Sequence, residues 1–153
     1  MPQGNNYIRL FKCMMMLFAC LLMPHCASEQ KFIGASKAKI DRITITFQFA
    51  RQEPRGIFDT TISITSEPEI ITLINIFGKK DKLRLCRAHS NIQYLIKNKE
   101  IFNADFSMAC KFIQLYYKGK LFDRRLISVE GMSLLEKYKN EILKSIGPEW
   151  VVL

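Results

Sequence analysis

The chain is poor in the residues that build most catalytic and nucleotide-binding motifs. Its 153 residues include two histidines, one tryptophan and seven glycines. The glycines stand singly, so no glycine-rich loop is present to hold a phosphate against backbone N–H groups. Neither the GxSxG nucleophile elbow nor the HExxH zinc motif occurs. The sequence therefore predicts no cofactor, and no motif in it identifies a family.

A hydrophobic segment long enough to span a membrane is also missing. The apolar run Cys13–Met23 has eleven residues, whereas a transmembrane helix needs about 20. Arg9 and Lys12 precede this run, and a proline and small polar residues follow it. This order is typical of a secretory signal peptide. We therefore expect residues 1–28 to direct export to the periplasm or cell envelope, and residues 29–153 to form one small domain.

Cysteines within the predicted signal offer an alternative processing route. Cleavage after Ser28 gives a soluble mature chain. Cys20, in the sequence LFAC, instead resembles a weak lipoprotein box, and Cys26 is followed by the polar tail ASEQ. Lipidation of either cysteine would anchor the chain through acyl groups. Both forms stay open, and this anchor is the only membrane contact that the sequence predicts.

Acidic residues are scarce relative to basic ones. The chain carries 23 Lys and Arg against 14 Asp and Glu, a formal net charge of +9. Without Arg9 and Lys12 the predicted mature part keeps a charge of +7. Such a charge attracts acidic protein surfaces, lipid headgroups or envelope polysaccharides, and it also keeps a protein soluble. Export argues against nucleic acid as the partner.

Two cysteines remain after residue 28, Cys86 and Cys110. In an oxidising compartment an even pair predicts a disulfide. A metal site or a Cys–His nucleophile is the alternative, because His89 lies three residues after Cys86. A closed zinc site needs four ligands, and a nucleophile needs a free thiolate. With one histidine in the mature part, the disulfide is favoured and no metal is expected.

Alternating hydrophobicity predicts a hairpin and then a helix at the start of the mature domain. The hairpin strands are DRITITFQFA and FDTTISIT, around the seven-residue loop ARQEPRG. The helix begins at Ser66 with the capping-box sequence SEPE. Its apolar stripe runs to Phe77, and Gly78 is expected to end it.

The remaining sequence predicts further strands and a second helix. KLRLCRA, NIQYLIK and IFNADFS are candidate strands, and a hairpin is expected about Lys118-Gly119. Ser128 caps a helix that Gly147-Pro148 ends. Because the strands alternate, we expect an α+β fold with a mainly antiparallel sheet of about five to seven strands and two helices. The expected order is ββα, then strands, then α.

Carboxylates provide a catalytic alternative. Two acids from any part of a fold can form the pair that hydrolyses glycosides. Asp105, Asp123 and Glu130 are the candidates, because they lie in or beside the second half of the predicted sheet. Acids among many Lys and Arg are more often solvated ion-pair partners. We therefore expect a protein that is not an enzyme, with a small envelope hydrolase as the alternative.

Basic and aromatic residues interleave around one predicted hairpin, FIQLYYKGKLFDRR. On its returning strand Lys120, Phe122 and Arg124 are expected to share a face. Exposed Tyr and Arg side chains suit an acidic protein partner, unless the aromatics pack inward and leave the cations solvated. The loop ARQEPRG is a second candidate surface, because exposed loops commonly carry recognition. The candidate binding residues are Arg51, Arg55, Tyr116, Lys118, Lys120, Phe122, Arg124 and Arg125.

These features together favour an exported, non-catalytic binding protein of the bacterial envelope. Its most concrete form is a periplasmic inhibitor or immunity protein that occludes the cleft of an acidic partner with a disulfide-stiffened sheet. The alternatives are the small hydrolase and a structural lipoprotein.

Overall fold

The computed structural model describes residues 39–51, 55–81 and 86–153. The predicted signal segment, with Cys20 and Cys26, lies outside this part. Residues 39–153 form one unit. Its described elements are β1 (Arg42–Arg51), β2 (Gly56–Ile64), α1 (Glu67–Ile74), β3 (Phe77–Lys80), β4 (Ser90–Ile96), β5 (Lys99–Ser107), β6 (Phe112–Tyr117), β7 (Lys120–Ile127), α2 (Val129–Ile146) and β8 (Val151–Val152).

One antiparallel sheet contains all of these strands. Its order is β2-β1-β4-β5-β6-β7-β3, which places β2 and β3 at the two edges. β8 also pairs with β1, at Phe49 and Ala50, beyond the stretch that pairs with β4. The predicted α+β fold is confirmed. The described sheet has eight strands rather than five to seven, because β3 and β8 are too short to show alternation.

The core lies on one face of this sheet, because alternate residues of a strand point to opposite sides. On β1 the buried residues are Ile43, Ile45, Phe47 and Phe49, all without exposed surface. The ring of Phe47 meets that of Phe106 edge-on, with centroids 5.8 Å apart. Each such fully buried side chain stabilises the fold by about 1.5–3 kcal/mol. We call this side the core face.

Both helices pack onto the core. Leu73 of α1 and Leu135 of α2 are fully buried. The hydroxyl of Tyr94 on β4 donates to the Leu73 carbonyl at 3.1 Å, so α1 covers the core face. At the start of α2 the Ser128 side chain accepts from the Gly131 N–H at 3.1 Å, which confirms the predicted cap. Neither helix of the described ranges is long and apolar enough to cross a membrane.

The opposite side, the outer face, carries a row of polar side chains at one register across six strands. Asn91 Nδ2 donates to Asp105 Oδ1 at 2.8 Å. The hydroxyls of Thr46 and Thr61 lie 2.9 Å apart. The whole row, in sheet order, is Thr61, Thr46, Asn91, Asp105, Gln114 and Arg124.

Asp81 and Cys86, on either side of residues 82–85, both contact residues of this outer face. Asp81 forms an ion pair with Arg124 of the row, with 3.2 Å between Oδ2 and Nε. Cys86 is joined by a disulfide to Cys110 in the β5–β6 turn, with 6.6 Å between the Cα atoms. The bond attaches the β3–β4 connection to the sheet. Residues 86–88 of the strand predicted in KLRLCRA are irregular, and its residues 82–85 lie outside the described part.

The first helix is shorter than its apolar stripe predicts. α1 ends at Ile74, and Phe77 and Gly78 belong to β3, where pairing with β7 replaces a further helical turn. The Ser66 side chain makes no capping hydrogen bond. The predicted capping box and helix-ending role of Gly78 are therefore wrong. Gly78 instead permits close strand packing, since a Cβ there would lie 3.0 Å from the Leu126 carbonyl oxygen.

Candidate functional site

Two groups of the candidate binding residues lie at opposite ends of the sheet. β1 and β6 run in opposite directions, because β4 and β5 separate them in an antiparallel order. Arg51 and Arg55 therefore lie at the end where β1 finishes. Lys118 and Lys120 lie at the end where β1 begins. The two predicted surfaces are separate.

Three chain segments meet at the end that contains Lys118. They are residues 39–42, the β4–β5 turn at 97–100, and the β6–β7 turn at 118–120. Together they carry six basic side chains, all exposed except the half-buried Arg42. We call this set the cationic end: Lys39, Arg42, Lys97, Lys99, Lys118 and Lys120.

The acids of these three segments are already engaged. Asp41 Oδ2 accepts a hydrogen bond from the backbone N–H of Lys97 at 2.8 Å. Glu100 Oε1 accepts from Asn103 Nδ2 at 3.0 Å. Both donors are neutral, so the two carboxylates keep their charge, and six cations against two acids leave the three segments with a net charge of +4.

Tight turns present the lysines at this end. Lys97 and Asn98 have φ values of 50° and 65°, and Lys118 and Gly119 have values of 50° and 73°. Positive φ at both central residues is the requirement of a two-residue type I′ hairpin. The hairpin predicted about Lys118-Gly119 is confirmed. The Lys118 Nζ lies 5.1 Å from the centroid of the Tyr117 ring. The ring therefore helps to position the Lys118 side chain.

Four members of the cationic end are absent from the sequence-based prediction. For Lys97 and Lys99 the sequence does contain a signal that predicts their position. In a run of antiparallel hairpins alternate turns fall at the same end of the sheet, so the β4–β5 and β6–β7 turns must lie together. Lys39 and Arg42 are brought to this end by the β1–β4 pairing, which joins residues far apart in sequence. The four are Lys39, Arg42, Lys97 and Lys99.

Arg124 is buried rather than exposed. Only 9% of its side chain is accessible, and its partner Asp81 has 3%. The guanidinium carbon lies 3.9 Å from the Phe112 ring centroid. Its Nη2 is buried without a hydrogen-bond partner in the described part of the chain. Arg124 thus has a structural position beneath Asp81.

A bulge in β7 separates the cations that were expected to share a face. Leu115 pairs with Asp123 and Tyr116 with Leu121, which leaves Phe122 as the extra residue. Lys120 then pairs with Tyr117, and Arg124 pairs with Gln114, three residues earlier on regular β6. Lys120 and Arg124 therefore lie on opposite faces. The prediction of a common face for Lys120, Phe122 and Arg124 is wrong.

Tyr116 belongs to the outer face, beside the polar row. Its hydroxyl donates to Gln114 Oε1 at 3.4 Å. Partial burial and the nearby Asp105 carboxylate raise the pKa of Tyr116. The phenol therefore stays protonated at neutral pH and acts as a hydrogen-bonding group.

Two of the candidate carboxylates, Asp105 and Asp123, lie on opposite faces of the sheet. Asp105 lies on the outer face, bonded to Asn91. Asp123 pairs across strands with the core-face residue Leu115, and its Oδ2 accepts from Arg125 Nε at 2.7 Å. Acids on opposite faces of one sheet cannot flank a single glycosidic bond. Glu130 is exposed in the first turn of α2.

The other end of the sheet has an aromatic character. The Arg51 guanidinium lies 5.0 Å from the Trp150 ring centroid and 3.7 Å from Glu149 Oε1. Trp150 also contacts Phe58, with ring centroids 5.9 Å apart, and it lines a cleft of about 320 Å³. Arg55 is exposed. Arg51 pairs with Gly56 in the sheet, so the predicted seven-residue loop is shorter in the structure.

Metal-ligating groups are not clustered in the described residues. No set of three or more His, Cys, Asp or Glu side chains there is placed to hold an ion. Cys86 is engaged in the disulfide, and His89 is exposed.

Comparison with known proteins adds no family to this geometry: no family model, no curated protein and no solved structure matches the chain.

Proposed function

We propose that the protein is a non-catalytic binding protein of the periplasm or cell envelope, and that its cationic end docks on an acidic protein partner. One observation carries the proposal. Six basic side chains from three separate segments meet at one end of the sheet, where the two local acids are engaged in other hydrogen bonds. None of the six side-chain cations forms an ion pair in the described contacts.

The charges at this end favour fast and selective association. An exposed lysine adds at most about 1 kcal/mol to an ion pair, so affinity does not come from single contacts. A group of like charges instead steers an oppositely charged partner and raises the association rate. Ionic strength screens this effect over about 8–10 Å.

The backbone at this end suits an inhibitor or immunity protein. Two narrow hairpin turns stand side by side on neighbouring strands. Their backbone conformation is fixed before binding, which lowers the entropy lost on association. Such turns can enter and occlude the cleft of a partner enzyme. The disulfide supports export, since these bonds persist in oxidising compartments.

Charge reversal tests the proposal. In the test variant Lys97, Lys99, Lys118 and Lys120 are replaced by Glu. In the matched control the same change is made at four exposed lysines outside the cationic end: Lys79, Lys80, Lys111 and Lys144. A partner is isolated from the periplasm of the native host with the unmodified protein, and its association rate with each variant is measured at low and high salt.

We expect the test variant to associate at least about tenfold more slowly at low salt, and the control to stay much closer to the unmodified protein. The difference should shrink at high salt. An equal loss in both variants would assign the effect to net charge alone and would contradict the proposed site. A third variant, Arg51→Glu with Arg55→Glu, reports on the opposite end of the sheet.

A further inference from the structure

A second surface lies along β2, at one edge of the sheet. β2 pairs with β1 over nine consecutive residues, from Gly56 to Ile64, without a bulge. Among the described strands none pairs with its other side. This side therefore presents backbone N–H and C=O groups in a regular extended row, which is a template for another strand.

β2 lacks the features that usually protect an edge strand. Natural edges are commonly blocked by Lys, Pro, a bulge or a very short length. The sequence GIFDTTISI contains no basic residue and no proline, and Asp59 is its one charged residue. Ile57 is 70% exposed and Phe58 is 40% exposed. The chain has a formal charge of +9, but β2 itself carries no positive charge. A second positively charged molecule can therefore approach along this strand.

We propose that two copies of the chain pair antiparallel along β2, about a twofold axis at Thr60. A twofold contact uses the same strand from both copies, so each pair of residues occurs twice. Ile57 then faces the partner's Ser63, and Phe58 faces the partner's Ile62. Asp59 faces the partner's Thr61, whose hydroxyl is a suitable donor. No like charges stand directly opposite each other in this register.

The position of the cationic end is compatible with a second copy as the occupant. Antiparallel pairing inverts the second molecule along the strand direction. The cationic end lies where β2 finishes, since Ile64 pairs with Ile43 at the start of β1. The two cationic ends are therefore placed at opposite ends of a nine-residue strand about 30 Å long. This is several screening lengths at physiological salt, so their repulsion is small.

Sedimentation equilibrium over a range of protein concentrations tests the pairing, with the oxidised chain as purified from cells. The unmodified protein is expected to show a monomer–dimer equilibrium. Ile57→Lys with Ser63→Lys places two pairs of lysines face to face. We expect it to raise the dimer dissociation constant by roughly tenfold or more. Ile57→Lys with Ser63→Glu places opposite charges face to face and should restore the dimer.

The two double variants share the same change at Ile57, so a difference between them reports on the register and not on lost apolar surface. Val129→Lys is the control, because Val129 is 81% exposed and lies outside β2. It should dimerise like the unmodified protein. A purely monomeric unmodified chain would overturn the proposal. Equal behaviour of the two double variants, or dissociation by Val129→Lys, would do the same. These outcomes do not depend on the cationic end, which its own variants test.

Discussion

Arg124 and Arg125 are adjacent in sequence and carry the same charge, yet they lie on opposite faces of β7. Arg124 pairs across strands with Gln114, on the outer face, and its side chain is 9% exposed. Arg125 pairs with the core-face residue Ile113 close to the edge of the sheet, and its side chain is 40% exposed. The two residues therefore make unequal contributions to stability.

Replacement of each arginine by methionine separates these contributions. Arg124→Met removes the guanidinium from a carboxylate that is 3% exposed, and breaking a buried ion pair costs about 3 kcal/mol or more. Arg125→Met should cost less than about 1 kcal/mol, because its ion pair with Asp123 is solvated. Urea unfolding measures both free energies. Equal losses would contradict the assigned burial.

The sequence predicts only part of the difference in exposure among these basic residues. Exposure of Lys118 and Lys120 follows from their position in a tight turn, and the sequence indicates it. The burial of Arg124 depends on Asp81, which contacts it from a distant part of the chain. The face of Lys120 depends on the bulge at Phe122, and simple alternation gives no sign of a bulge.

At the level of elements, α2 begins against the residue that leads into β3. A Cβ on Gly131 would overlap the Cγ1 of Ile76, which is fully buried. The Gly131 N–H also donates to the Ser128 cap. The close approach of these two elements therefore requires a glycine at this position.

Gly131→Ala should destabilise the protein. In an exposed helix interior, Gly to Ala stabilises by about 1 kcal/mol. Here overpacking should reverse the sign, with a loss of about 1–3 kcal/mol. Asn140→Ala, at an exposed position of α2, is the control and should be neutral or stabilising. Chemical denaturation of Gly131→Ala, Ile76→Ala and the double variant should show a double loss smaller than the sum, since Ile76→Ala removes the overlapping atom. Additive losses would count against the contact.

The sequence predicts long alternating elements well and short ones poorly. β1, β2, β4 and β5 all show clean alternation and appear as expected. The predicted end of α1 is wrong because Phe77 continues the apolar stripe of the helix. In the structure, pairing with β7 gives Phe77 an extended backbone conformation. β8 has two residues, and its pairing with β1 joins segments about one hundred positions apart.

At the level of the whole molecule, the disulfide attaches the β3–β4 connection to the end of the sheet opposite the cationic end. Cys110 lies in the β5–β6 turn, and Cys86 lies near Ser107, with 3.9 Å between Sγ and Oγ. Fully buried Phe112 starts the next strand. The bond thus holds Cys86 as a cover over the outer face at Ser107, without touching the proposed docking surface.

Cys86→Ser with Cys110→Ser tests this separation. The free energy of unfolding should fall by roughly 3 kcal/mol, because a closed loop constrains the unfolded chain. Hydrogen exchange should increase around residues 107–112. The association rate of the folded variant with an acidic partner should be unchanged. A loss of association in the folded variant would show that the cover contributes to docking.

Net charge alone could not locate the candidate site. The sequence gives an excess of cations but no position for them, because Arg42, Lys97 and Lys118 are distant along the chain. Their meeting depends on the strand order, above all on the β1–β4 pairing between residues about fifty positions apart. That pairing is a property of the complete sheet.

The polar row on the outer face has a consequence for how the chain avoids misfolding. A strand that slips by one residue exchanges its two faces. It would carry Thr46, Asn91 or Asp105 onto the apolar side and break the Thr46–Thr61 or the Asn91–Asp105 bond. The row therefore favours the correct strand alignment, because a misaligned sheet would bury polar side chains on several strands at once and lose stability.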